Sequence, residues 1–145
     1  VRIAAVNSER IMRDSNPAKA AQTKLEREFS KRDKELQEMA ARLKSIAEKH
    51  DKDAAITSEA ERIKRQRDLV DMDREFQRKQ REFREDLDVR RNEAMAVVIE
   101  RANKALKQIA ETEKYDLILQ EAVYVNPRLD ITDKVLRILN ASNGK

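Results

Sequence analysis

The chain has 145 residues, the length of a single domain, and a formal net charge of +4 from 32 basic and 28 acidic side chains. Charged residues make up 41% of it, against one glycine and two prolines, which suits long helices and not a compact, many-turned globule. There is no cysteine, so disulfides, thiol catalysis and cysteine–zinc sites are excluded, and no apolar run approaches the roughly 18 residues of a membrane-spanning helix.

Residues 1–6 (Val-Arg-Ile-Ala-Ala-Val) have the small and β-branched composition of a short strand, closed by Asn7-Ser8. The chain opens directly on this strand, so export cannot be read from it. A short helix over 8–14, capped by Ser8, stops near Ser15-Asn16. Pro17 then fits the first turn of a second helix, with Asn16 as its cap. From Pro17 to His50, Leu25, Phe29, Leu36, Met39, Leu43 and Ile46 recur at three- and four-residue steps, with Gln22, Arg32 and His50 completing the register. That heptad seam asks for one partner helix, and its helix is about 50 Å long.

Residues 50–57 reverse the chain around a tip near residue 54, and Ser58-x-x-Glu61 is a capping box opening a helix that runs to Glu113, about 85 Å. Two long amphipathic helices joined by a reversal predict an antiparallel hairpin. Met72, Phe76, Phe83, Leu87, Ala94, Val98, Ala105 and Ile109 alternate steps of four and seven, an 11-residue repeat that favours a nearly straight or slightly right-handed pair. With the tip at residue 54, Leu25 faces Phe83 and Pro17 faces Arg91, so beyond Arg91 the second helix outruns its mate. There Ala94, Met95, Val97, Val98, Ile99, Ala102, Ala105, Leu106 and Ile109 cover more than one stripe and demand burial on several sides. The expected cover is this chain's own strands together with other copies, which makes Val98, Ile99, Ala102, Leu106 and Ile109 the candidate oligomerisation residues.

After Glu113, residues 115–120 and 122–125 are two expected strands, and 132–139 a final helix capped by Asp130 or Thr132. The fold class is therefore mainly α with a small β body. A long antiparallel hairpin, residues 17–93, projects from a short-stranded oligomerisation domain made of residues 1–16 and 94–145.

At this point the residues resemble a known family. The opening Arg2-Ile-Ala-Ala-Val-Asn7, the helix start Asn16-Pro-Ala-Lys-Ala-Ala21, Leu25-x-x-x-Phe29, Leu36-Gln-x-Met39, Phe76-x-x-Lys79 and Phe83-x-x-Asp86 are similar to the Skp/OmpH periplasmic chaperones. The most specific match is the end, Tyr115-Asp-Leu-Ile-Leu through Val125 and then Asp130-Ile-Thr-Asp-x-Val-Leu136. The resemblance spans essentially the whole chain. It implies a homotrimer whose hairpins enclose a cavity in the periplasm, holding unfolded outer-membrane proteins without ATP. The composition is compatible, because many weak contacts on a charged, sparsely apolar surface suit binding many unfolded chains and suppress aggregation by mass action.

Two sets of candidate site residues follow. Ile56, Ile63 and Val70, at seven-residue spacing near the tip, are candidate client contacts. The alternative, which carries more weight, is that the seam shifts register and buries them. Lys79, Arg90 and Arg101 stand 11 residues apart on one side of the second helix, with Arg91 and Arg78 nearby. The family resemblance makes Lys79, Arg90, Arg91 and Arg101 candidates for lipopolysaccharide or anionic lipid, although Arg91 and Arg101 match its pattern only in part. Against that stands a solvated face of helical ion pairs such as Glu75–Lys79 and Asp86–Arg90.

His50, the one histidine, is expected to be solvated, and nothing near it completes a triad or metal set. The lone glycine, Gly144, excludes a glycine-rich phosphate loop. No enzyme, cofactor or metal is expected. The alternatives are a prefoldin-like cytosolic chaperone and a structural or nucleic-acid-binding coiled coil. Specific nucleic-acid binding is not expected, since acids balance the cations locally and there is no aromatic platform for bases.

Overall fold

The structure, a computed structural model, describes residues 1–141. Its packing divides the chain into two units: one holds Val1–Glu26 and the chain from Arg90 onward, the other Arg27–Val89. The first unit is the body. It takes in the first turns of the second helix, which the sequence reading had given to the hairpin.

In the body, strand β1 (Ile3–Val6) pairs in parallel with β2 (Leu117–Gln120), Ile3 opposite Leu117 and Val6 opposite Gln120. Parallel neighbours need a crossover, and here it includes α1 (Ser8–Asp14) and two long helices, α2 (Asn16–Asp53) and α3 (Glu59–Glu113). Local chemistry sets the joints. The Asn7 side chain, not Ser8, accepts the Arg10 amide at the start of α1. Ser15, not Asn16, caps α2: its buried hydroxyl accepts the Ala18 amide at 3.2 Å, while the Asn16 amide donates to the Asn140 side chain at 2.8 Å. Pro17 sits in the first turn, where its missing amide costs nothing.

At its far end α3 stops with Lys114 in the left-handed region (φ 60°) and the Tyr115 amide bonded to the Ala110 carbonyl, the pattern of a Schellman cap on a residue other than glycine. The second expected strand, residues 122–125, does not form. Glu121 also takes a left-handed φ of 54°, which turns the chain off the β2 line, and Val123 and Tyr124 stand exposed. The other edge of β1 is instead met by Asp130 and Ile131, the Ile131 amide donating to the Ala5 carbonyl at 2.9 Å. A 3-10 turn (Pro127–Leu129) precedes the last helix, α4 (Thr132–Ala141).

One hydrophobic cluster joins these elements: Ala4, Val6, Ile11, Ala102, Ala105, Ile109, Ile131, Val135 and Leu139. Val98 is buried as well. With Phe29 opposite Phe83, the first residue of α2, Asn16, falls opposite Ala96, so α3 outruns its mate somewhat later than Arg91, and its last turns are covered by β1, α1 and α4 of this chain. Pro17, Ala20 and Ala21 of α2 line one groove with Ala94, Val97 and Val98 of α3, because α2 begins at Asn16 and the reversal lies later than expected.

Where β1 hands over to α4, a part-buried relay centred on the buried Thr132 closes the body. The Asn7 amide donates to the Thr132 hydroxyl at 2.9 Å, and that hydroxyl donates to the Asp130 carboxylate, which also accepts the Thr132 amide at 2.9 Å. The Thr132 hydroxyl bond holds the Asp130 carboxyl below its ordinary range, ahead of an opposing desolvation. A lowered folded pKa stabilises above the unfolded value and is lost as pH falls through the folded one. Thr132→Val removes the acceptor of the part-buried Asn7 amide bond and is expected to cost about 0.5–1.5 kcal/mol, the range for a hydrogen bond that water can partly replace. It should also flatten the loss of stability at acidic pH, which urea unfolding at several pH values measures.

The second unit is an antiparallel hairpin. Its turn runs through residues 54–57, where the Ile56 amide and the Thr57 hydroxyl both bond the Asp53 carbonyl. Ser58 caps α3 by accepting the Glu61 amide at 3.2 Å, and the Glu61 carboxylate turns to Arg65. The turn sits about two residues later than expected, so Phe29, not Leu25, meets Phe83, with ring centroids 5.7 Å apart and edge to face. Ile46 is exposed, and Ala47 takes its seam position.

Candidate functional site

Burial changes character along the hairpin. Phe29 is buried, but from residue 30 to residue 89 no side chain is. Leu36, Met39, Leu43, Leu69, Met72, Phe76 and Leu87 are all only half-buried. The seam also carries Arg32, Arg65 and Gln80 at half-buried positions, which limits the apolar area it can close.

Ile56, Ile63 and Val70 lie outside that seam, at 87%, 53% and 41% exposure. The reading that buried them in a shifted register fails, because Leu69 and Met72 hold the seam throughout and place Val70 one step off it. Ile63 and Val70, one heptad apart on α3, and Ile56 in the turn before it leave exposed apolar groups with no partner among the described residues.

The four candidate cations are not equivalent. Lys79, in the hairpin, pairs with Glu75 at 3.9 Å, and Arg78 bonds both Glu75 and Glu82. The Arg78 bond holds the Glu75 carboxyl below its ordinary range. In the body, Arg90 pairs with Glu93 at 2.9 Å. Arg90 and Arg101 line one groove of about 660 Å³, together with Lys24 and an apolar floor of Pro17, Ala20, Ala21, Ala94, Val97 and Val98. One Arg101 nitrogen, Nη2, is shielded from solvent and has no hydrogen-bond acceptor. Arg91 does not line this groove. Sequence spacing found the arginines; the groove depends on the start of α2, which spacing along α3 does not reveal.

The oligomerisation candidates also divide. Val98, Ala102 and Ile109 are buried within this chain and so are spent on the body's own packing, and Leu106 packs half-buried against the same cluster. Of the five, Ile99 is exposed. The body also leaves open Leu117 and Leu119 on β2 and Val123 and Tyr124 beyond it, which the pattern of α3 could not indicate. His50 is half-buried, with Nδ1 shielded and unpartnered, not solvated at the tip as expected.

The chain thus comprises an antiparallel two-helix unit with exposed apolar side chains and a mixed α/β unit with an open strand edge. The family model described as "Outer membrane protein (OmpH-like)" matches residues 2–139, so the chain belongs to the Skp/OmpH family. It is 29% identical over 138 residues to the chaperone protein Skp of Yersinia enterocolitica and likewise to that of Pectobacterium atrosepticum, covering 94% of this chain and 84% of each relative. Among solved structures it is similar to a putative outer membrane chaperone (OmpH-like) from Caulobacter crescentus CB15. That match has a TM-score of 0.81 at 21% identity and covers 99% of this chain and 86% of that one, a likeness of fold.

Proposed function

We propose that this chain is an ATP-independent holdase chaperone of the periplasm, which as a homotrimer binds unfolded outer-membrane proteins and keeps them from aggregating. The observation that carries the reading is the match to the OmpH-like family across residues 2–139, joined to a hairpin that leaves Ile56, Ile63 and Val70 open. Many shallow apolar contacts among charges suit clients of varied sequence better than one deep pocket does. The open edge of β2, with Leu117 and Leu119 exposed on it and Val123 and Tyr124 exposed just beyond, supports assembly with further copies, since an uncovered apolar strand edge recruits another chain.

The test joins solution mass to a refolding assay. The chain is expected to run as a trimer and to keep a denatured outer-membrane β-barrel soluble without nucleotide. A monomer that leaves aggregation unchanged would defeat the reading.

A second ligand class, lipopolysaccharide or another anionic lipid, is supported by the body groove, where Arg90, Arg101 and Lys24 surround an apolar floor. Cations above apolar surface suit a phosphorylated amphiphile. Changing Lys24, Arg90 and Arg101 together to Ala is expected to weaken lipopolysaccharide binding at least tenfold. Unchanged binding, measured by titration calorimetry, removes this ligand.

A further inference from the structure

Between the arms of the hairpin lies a groove of about 260 Å³ with a floor of Met39, Leu43 and Met72 and a rim of Arg42, Asp71 and Glu75. We propose that this groove receives apolar side chains of an extended, unfolded polypeptide. The proposal rests on the holdase reading and names where on the hairpin the client's side chains are held.

Three observations support this occupant. First, the floor is apolar and incompletely covered: all three of its side chains are only half-buried, on a unit that buries none between residues 30 and 89. Second, two of the three are methionines, although the chain has only four. An unbranched thioether adapts its shape to different partners at little cost, which suits side chains of varied form. Third, the rim is charge-matched to a peptide. Neither Arg42 nor Asp71 is engaged in an ion pair among the described residues. Arg42 has donors for a main-chain carbonyl and Asp71 acceptors for a main-chain amide, so the two signs suit a chain that alternates donor and acceptor with no net charge. The same Asp71 and Glu75 repel an anionic headgroup or a nucleic-acid phosphate. Leu43 also lines an adjoining groove of about 520 Å³ with Ala47, Leu69 and Val70. A bound segment therefore has a path from the seam to the exposed stripe.

The four methionines supply the probe. The full chain is labelled at its methionine methyl carbons, each resonance is assigned by single Met→Leu changes, and a urea-denatured outer-membrane β-barrel is added by dilution. The Met39 and Met72 signals are expected to shift or broaden, while those of Met12 and Met95, in the body unit, stay in place. A Met39→Gln, Met72→Gln double variant is expected to bind the same client at least tenfold more weakly by fluorescence anisotropy. Arg42→Glu with Asp71→Lys, which leaves the apolar floor intact, is expected to weaken it about threefold. Should the β-barrel stay soluble while the Met39 and Met72 signals do not move, the groove is not the receptor although the holdase reading stands. If the protein leaves the β-barrel to aggregate, both readings fall.

Discussion

Ile109→Ala is expected to destabilise the body by about 2–5 kcal/mol, the range for truncating a buried aliphatic side chain. Ile109 is 3% exposed and sits in the cluster that joins β1, α1, α3 and α4. Removing its outer carbons leaves a void bounded by elements already tied elsewhere: α4 by the Asp130–Thr132 relay, and β1 by its bonds to β2. The core therefore has little freedom to collapse into the space, which places the cost in the upper half of that range. Val97, one residue before the buried Val98, is 57% exposed, and Val97→Ala should change stability by less than about 0.5 kcal/mol. Urea unfolding of both variants at several protein concentrations measures this. If Ile109 acted between subunits, its cost would grow on dilution. Because it packs inside the chain, the cost is expected to be independent of concentration.

That contrast shows what the sequence made legible. The periodicity of α3 identified its buried face correctly: Val98, Ala105 and Ile109 repeat at the seam spacing and are all buried. What it lacked was the partner. The hairpin arithmetic placed the turn near residue 54, whereas the turn spans residues 54–57, and a shift of two residues at the turn moves the facing register by about one helical turn. The expected register therefore sets Leu25 against Phe83 in place of Phe29 and ends the helix pairing at Arg91, a few residues early; the end of α3 does outrun α2, and β1, α1 and α4 cover it. The second expected strand failed for a different reason. Residues 122–125 have strand composition, but composition does not carry the left-handed turn at Glu121, nor the capture of β1's free edge by Asp130 and Ile131. The second of these rests on contacts more than 100 residues apart in the chain, beyond the reach of a local pattern. The exposed stripe was legible as a spacing, but its exposure was not, since a heptad repeat looks the same whether it is buried or bare.

The second large effect is expected at the base of the hairpin unit, where the seam is best closed. Phe29 is the only side chain buried within Arg27–Val89, and its ring meets Phe83 edge to face. The Arg32 guanidinium lies 5.6 Å from the centroid of each ring and bonds the Asp86 carboxylate at 2.9 Å. One cation thus spans both aromatic faces and is held by an acid from the opposite helix. Phe29→Ala removes the buried ring, its edge-to-face partner and one of the two cation contacts, and is expected to cost this unit about 3–5 kcal/mol. Arg32→Ala keeps the rings and loses only exposed cation–π contacts and a surface ion pair, so about 1 kcal/mol is expected. Phe76→Ala, at a half-buried seam position, should fall between them. Hydrogen exchange resolves the effect by region: with Phe29→Ala, amide protection should collapse across residues 30–89 while the amides of α4 and β1 keep theirs. The body's core has its own cluster, which shares no residue with this clamp. Equal loss of protection in both units would mean that the hairpin and the body unfold as one, and that Phe29 is a keystone for the whole chain and not for its arm.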